Sequence, residues 1–313
     1  VTGKTYSIMQ NDITASFISM WDKDGLTVQV TVEDAVKDDN DAVAVYVDSA
    51  NSGKDDITPV TVTVKRSEAA EVENGYQATI KVPLSGLSVA KVIGMDVVVT
   101  NGDKTAAFND LTGKQGTSSK YYAKVTMKPG VEKAAYGTVT VDGDKDTVWD
   151  NAGTIPITIN LGSNVSANAK LLWDKDNFYV YAEIKDPVLN NTNGDAWEQD
   201  SLEVFIDENN GKSNSYEDDD KQYRISYVND HSFNGKKCLE ENMKSVAKIT
   251  SDGYVVEASF KWTDITPKAG DEIGLEFQIN DADASGKRIG TLSWNDETGM
   301  GWSKPEVFGT VKL

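Results

Sequence analysis

The sequence predicts an all-β protein, two tandem antiparallel β-sandwich domains of jelly-roll-like build. Three observations lead there. Short runs alternate apolar and polar residues: LTVQVTV (26–32), AVAVYV (42–47), FYVYAEI (178–184), SLEVFI (201–206), QYRISYV (222–228), YVVEASF (254–260) and IGLEFQI (273–279). A period of two places alternate side chains on opposite faces of a strand. Gly, Asn and Asp punctuate the runs with turn chemistry, and no long segment carries helical periodicity.

The third observation is an internal repeat, preserved in order. WDKDGLTVQVTVED (21–34) matches WDKDNFYVYAEIKD (173–186), and AVYVD (44–48) matches EVFID (203–207). NGYQATIKV (74–82) then matches DGYVVEASF (252–260), and VIGMDVVVTN (92–101) matches EIGLEFQIND (272–281). AFND (107–110) answers SWND (293–296), and YYAKVTMK (121–128) answers VFGTVKL (307–313). The linking stretch MKPGVEKAAYG (127–137) sets the boundary, giving domains 1–131 and 132–313. Copy two opens with YGTVTVDGDKDTVWD (136–150), read as strand, for which copy one has no counterpart. Either the chain begins partway into copy one or that strand is degenerate there.

Composition narrows the function. The 313 residues include 50 acidic and 31 basic ones, a formal charge of −19. That argues against a nucleic-acid partner, whose phosphates need a basic surface, and against adsorption to anionic membranes. No apolar run approaches the roughly 20 residues of a membrane span. A single cysteine, Cys238, leaves no intramolecular disulfide and reads as a small core filler. The lone His231 gives neither a His-based triad nor a multi-His zinc site on this reading. No secretory leader is present, and Val at position 1 suggests a mature or excised piece, so secretion is an inference rather than a motif.

Two tryptophans stand out. Trp197, in GDAWEQD, and Trp302, in GMGWSKP, lie among Gly, Asp, Asn and Ser rather than inside apolar runs. The other five (Trp21, Trp149, Trp173, Trp262 and Trp294) fit strand patterns and read as core. In SLEVFID the face Leu202, Val204, Ile206 is apolar, which sends Ser201, Glu203, Phe205 and Asp207 outward. By the same parity Gln222, Arg224 and Ser226 face out of QYRISYV, and Gln278 out of EFQIN. Indole faces stack on the C–H faces of pyranose rings. A carboxylate, a guanidinium and an amide then accept, donate, or do both toward ring hydroxyls.

At WDKDNFYVYAEIKDPVLN, AWEQDSLEVFIDENN, YEDDDKQYRISY, FQINDAD and the closing W-x-x-P-x-x-F-G (Trp302, Pro305, Phe308, Gly309), copy two closely resembles a family 9 carbohydrate-binding module over about residues 132–313. Copy one looks like a divergent relative. Such modules are appended to secreted bacterial xylanases. The resemblance implies a β-sandwich, bound structural calcium, and recognition of the reducing ends of xylan and cellulose chains between two tryptophans, here Trp197 and Trp302. It also implies that Glu203, Arg224 and Gln278 share one sheet face, and that the partners are these polysaccharides and a catalytic xylanase domain outside the cell. Copy two departs from the family at Ser226 and Gly299, where Asn is familiar.

Copy one lacks the set. Ala44 aligns with Glu203 and Val98 with Gln278. AVKDDND (35–41) replaces the longer Trp197 loop, and the aromatics nearest the Trp302 position are Tyr121 and Tyr122. It reads as a non-binding spacer. For the metal, carboxylates and amides gather near the Trp197 loop, including Asp186, Asp195, Gln199 and Asp200. Asp186, Gln199 and Ser201 are the expected calcium ligands, calcium favouring oxygens from irregular loops. Two other classes compete, a cell-surface adhesion domain and a small β-sandwich glycosidase. The latter needs facing carboxylates. Glu198 and Asp200 point to one side of an extended stretch and Glu203 to the other, so the module is expected to be non-catalytic.

Overall fold

The computed structural model describes residues 5–22, 24–89 and 91–313. The chain is all-β and divides into two compact units, Val1–Met127 and Lys128–Leu313, a division a few residues ahead of the one drawn from the linker.

Unit 1 contains β1 (Tyr6–Gln10), β2 (Ile13–Asp22), β3 (Gly25–Glu33), β4 (Ala42–Asp48), β5 (Val60–Lys65), β6 (Ala70–Val72), β7 (Gly75–Pro83), β8 (Val92–Asn101), β9 (Lys104–Ala107) and β10 (Ala123–Thr126). One sheet runs β1-β2-β3-β7-β6; the other runs β10-β8-β4-β5, with β9 on β8. The inward positions of both sheets, such as Val28, Val30, Ala78 and Ile80 against Val43, Val45, Val97 and Val99, form one core.

Unit 2 contains β11 (Glu132–Lys133), β12 (Ala135–Tyr136), β13 (Ile155–Ile157), β14 (Ile159–Leu161), β15 (Ser166–Trp173), β16 (Asn177–Lys185), β17 (Ser201–Asp207), β18 (Asp220–Ser226), β19 (His231–Asn234), β20 (Met243–Ile249), β21 (Gly253–Lys261), β22 (Glu272–Ala282), β23 (Arg288–Ser293) and β24 (Gly309–Lys312). Its sheets run β12-β15-β16-β21-β20 and β11-β24-β22-β17-β18-β19, with β13 on β15, β23 on β22 and β14 on β23. Leu202, Val204, Ile206, Tyr223, Ile225, Phe277 and Ile279 point into a core shared with Val180, Ala182, Val256 and Ala258 of the facing sheet. These are the positions the alternation assigns inward.

The stretch 136–150 is not the strand read from its alternation. Beyond Tyr136 it is irregular, and Thr147–Asn151 form a 3-10 turn. The turn buries Trp149, whose indole N–H donates to Glu257 Oε1 at 2.9 Å. Trp173 and Trp294 are also buried, whereas Trp21 and Trp262 are half-buried against their cores. Cys238 is buried, as a filler should be.

The closing W-x-x-P-x-x-F-G motif is explained piece by piece. Pro305 starts a 3-10 turn, Pro305–Val307, where its missing N–H costs nothing. Phe308 is buried and stacks obliquely on Phe205, ring centroids 5.7 Å apart. Gly309 lies against the Trp294 ring, so a Cβ there runs into the indole. Gly309→Ala is therefore expected to destabilise unit 2 by about 1–3 kcal/mol through overpacking. Denaturant titration measures this, and an unchanged midpoint would contradict it.

Candidate functional site

β17 is the central strand of the site. It pairs with β18 on one side and β22 on the other, and the registers Glu203↔Arg224 and Glu203↔Gln278 put all three side chains in one row across the sheet. Strand order, invisible to the alternation, brings them together.

Their surroundings differ from the expectation. The face opposite the hydrophobic core is not open: every residue of β17 is buried, and Phe308 of the closing segment packs on Phe205 there. Glu203 is 2% exposed, Arg224 4% and Gln278 9%. Glu203 Oε2 accepts from Gln222 Nε2 at 2.7 Å and Oε1 from Asn280 Nδ2 at 2.8 Å. Burial pushes its carboxyl above the ordinary range, opposed by these two amides. Arg224 forms no ion pair with Glu203 among the described residues. Its Nε donates to Ser232 Oγ at 2.8 Å, and its Nη1 is buried without a partner. An orphaned guanidinium N–H is costly unless something else accepts from it.

Asn280, which the alternation did not single out, is the hub. Its Nδ2 also donates to Ser201 Oγ at 3.0 Å, and its Oδ1 accepts from Gln278 Nε2 at 2.9 Å and Arg288 Nη1 at 3.0 Å. Asn280→Ala leaves Glu203 Oε1 bare and is expected to cost about 1.5–3 kcal/mol. Because that amide holds the Glu203 pKa down, its loss raises the folded-state pKa further. The part of the penalty linked to Glu203 is then absent at low pH, where the carboxyl is protonated in both proteins, and grows as pH rises through the parent's folded-state pKa, on top of a pH-independent loss of the other bonds. Equal destabilisation at pH 4 and pH 8 would refute this.

Both tryptophans tie into the same network. Trp197 is 53% exposed and Trp302 56%, while of the four other tryptophans of this unit Trp149, Trp173 and Trp294 are buried and Trp262 is half-buried. Trp197 sits in a 3-10 turn, Ala196–Glu198. Glu198 Oε2 accepts the Arg288 backbone N–H at 2.9 Å, and Arg288 bonds Asn280. The Trp302 carbonyl accepts from Asn234 Nδ2, which also donates to Gln222 Oε1, both at 3.1 Å, and Gln222 bonds Glu203. Ser226 is buried, its Oγ accepting the Asp230 N–H at 2.9 Å, and Gly299 has φ of 69°, which favours glycine.

Two of the three expected metal ligands have other partners. Gln199 Nε2 donates to the Asn193 carbonyl at 2.6 Å and so closes the Trp197 loop. Ser201 Oγ donates to the Gln199 carbonyl and accepts from Asn280, on the side of Glu203. The residue between them, Asp200, points the other way. It meets Asp186 and Asp281, one carboxylate oxygen of each lying within 4.8 Å of the others, all three buried. Burial, reinforced by the neighbouring carboxylate of Asp186, pushes Asp200 up to about 8, and burial also raises Asp186 and Asp281. Asp186 Oδ2 has no partner, and among the described residues no Lys or Arg forms an ion pair with any of the three. Such an all-oxygen, uncompensated set fits a hard divalent cation.

His231 also differs from expectation. Its Nε2 lies 2.8 Å from Ser245 Oγ and its Nδ1 3.1 Å from Glu240 Oε1, so one histidine does suffice for a triad-like arrangement. Ser245 Oγ, however, donates its proton to Asn229 Oδ1 at 2.9 Å, away from the imidazole. The hydroxyl is therefore a hydrogen-bond bridge.

In unit 1 the equivalent row is Thr63–Ala44–Val98, through the registers Ala44↔Thr63 and Ala44↔Val98. Tyr122 is buried, its hydroxyl donating to the Gln115 carbonyl; Tyr121 is exposed.

Comparison with known proteins gives the class and then the family. Residues 141–313 match the family described as carbohydrate family 9 binding domain-like. A family 9 carbohydrate-binding module from Caldicellulosiruptor kristjanssonii, solved in complex with cellotriose, is 37% identical with a TM-score of 0.56, covering 58% of this chain and 92% of its own. The same module has been solved with glucose. Endo-1,4-beta-xylanase A of Thermotoga neapolitana is 35% identical over 97% of this chain, and exoglucanase XynX of Acetivibrio thermocellus is 35% identical over 96%. The chain spans about a third of the length of these enzymes (31% and 30%). Its class is that of a carbohydrate-binding β-sandwich, non-catalytic in itself. The chain belongs to family 9 of the carbohydrate-binding modules. No helix among its described residues is long and apolar enough to cross a membrane.

Proposed function

We propose that unit 2 binds the reducing ends of xylan and cellulose chains and their oligosaccharides, one terminal ring lying between Trp197 and Trp302. The carrying observation is a pair of exposed indoles tethered to one buried polar network, with the Arg224 Nη1 donor unpartnered inside it. In this reading Glu203 accepts from the ring hydroxyls, Arg224 donates to them, and Gln278 does either. The cellotriose and glucose complexes of the Caldicellulosiruptor module support the sugar class, and the xylanase relatives support a role in holding an attached, extracellular xylanase on plant cell wall. Unit 1, with no counterpart of Trp197 or Trp302 and no polar row, acts as a spacer. Asp186, Asp200 and Asp281 hold a structural calcium beside the Trp197 loop.

Calorimetry with cellobiose, xylobiose and borohydride-reduced cellobiose tests the proposal. Reduction opens the terminal ring, so the reduced sugar is expected not to bind. Equal affinity for both forms would sink reducing-end recognition, and no binding of any of the three would favour the adhesion class instead.

A further inference from the structure

We propose that Arg66 is a built-in replacement for a divalent cation in unit 1, its guanidinium filling the position that unit 2 reserves for calcium. The inference rests on the metal reading of Asp186, Asp200 and Asp281.

The two places correspond bond by bond. Asp34 Oδ1 accepts the Val36 N–H at 3.1 Å, as Asp186 Oδ1 accepts the Val188 N–H at 2.9 Å. Asp41 Oδ1 accepts the Gly102 N–H at 3.0 Å, as Asp200 Oδ1 accepts the Ala282 N–H at 2.6 Å. Asp41 Oδ2 accepts the Asp38 N–H at 2.8 Å, and Asp200 Oδ2 the Asn190 N–H at 2.6 Å. The third carboxylate, Asp281, is Asn101 in unit 1 by the repeat. One carboxylate has gone and one cation has arrived.

The arrival is at a defined position. The Arg66 backbone N–H donates to the Asp41 carbonyl at 2.8 Å, and its counterpart Tyr227 donates to the Asp200 carbonyl at 3.3 Å. Where Tyr227 sends its hydroxyl to Asn191 Oδ1, Arg66 turns inward and is 5% exposed. Its Nη1 donates to Asp34 Oδ2 at 2.7 Å, Asp41 Oδ2 at 3.3 Å and the Val36 carbonyl at 3.2 Å. Its Nη2 donates to the Asp34 carbonyl at 3.1 Å and Glu71 Oε2 at 3.2 Å. Carboxylate and backbone carbonyl oxygens are the donor set calcium takes. The decisive contrast is one atom: Asp34 Oδ2 is bonded to Arg66, and its counterpart Asp186 Oδ2 is buried without a partner. Unit 1 thereby holds its β3–β4 connection without metal.

The test is calcium stoichiometry of the metal-depleted full chain, by native mass spectrometry and calorimetry. Arg66→Ala opens an oxygen-lined cavity and is expected to bind one more calcium than the parent, at the roughly 10⁻⁴–10⁻³ M affinity of extracellular modules. Arg66→Lys keeps the charge and is expected to add none. A folded Arg66→Ala chain with the parental calcium count would overturn the proposal. So would an Arg66→Ala chain that stays unfolded in excess calcium while Arg66→Lys folds. Asp200→Asn separates the underlying reading. If it leaves the parental count unchanged, the unit 2 site is wrong, and the Arg66→Ala count still decides unit 1 independently.

Discussion

Trp302→Ala and Trp197→Ala are each expected to weaken sugar binding by the full chain by roughly 5- to 150-fold while leaving it folded. Both indoles are more than half exposed, so removing them deletes little buried area. Each loses an aromatic platform, worth about 1–3 kcal/mol by analogy with bases stacked on aromatics. At about 1.4 kcal/mol per tenfold, that is roughly 5- to 150-fold, enough to carry a millimolar ligand out of range and to weaken a micromolar one measurably. Tyr121→Ala, the exposed aromatic of unit 1, should leave binding intact, and the parent should bind one sugar per chain. Titration calorimetry with cellobiose decides it. A Trp variant with parental affinity, or a second site lost with Tyr121, would displace the assignment.

Metal removal is expected to give the largest stability effect. Three carboxylates are gathered within a buried space where, among the described residues, no Lys or Arg pairs with them, so unit 2 without an ion must either bury charge or take up protons there. A ligand that binds only the folded state adds about 2.7 kcal/mol at a hundredfold excess over Kd. A chelator should therefore lower the melting temperature of unit 2 and weaken sugar binding with it. The coupling runs through Asp200: its carboxylate accepts the Asn190 N–H, and Asn190 anchors the loop of Trp197 through the Asp283 carbonyl at 3.1 Å. Asp200→Asn should lower the parent's calcium response. An unchanged melt in a metal-depleted sample would refute the site.

The sequence by itself determined the strands that matter and which side of each faces the core. Leu202, Val204, Ile206, Phe277 and Ile279 were legible because burial of alternate side chains is a local pattern. The repeat made Ala44 and Val98 readable as replacements for Glu203 and Gln278, and the registers pair them alike. Trp197 and Trp302 were legible because a large apolar ring among turn residues has no core to enter. The stretch 136–150 misled, since its alternation is real but Trp149 is better buried by a turn that lets its N–H reach Glu257.

Only the tertiary structure decided the rest. Backbone hydrogen-bonding groups are the same at every residue, so neither strand order nor register is written locally; both are chosen by which faces bury together. The pairing Ser201↔Asn280 makes Asn280 the hub of the polar row and, one residue on, carries Asp281 to Asp200 across 81 positions of sequence. That pairing is why Asp200 and Asp281, far apart in sequence, meet Asp186 while Ser201 turns to the side of Glu203. It is also why Arg66, one basic residue beside an unremarkable strand, could not be read as an ion's replacement until β4 and β5 placed it over Asp34 and Asp41.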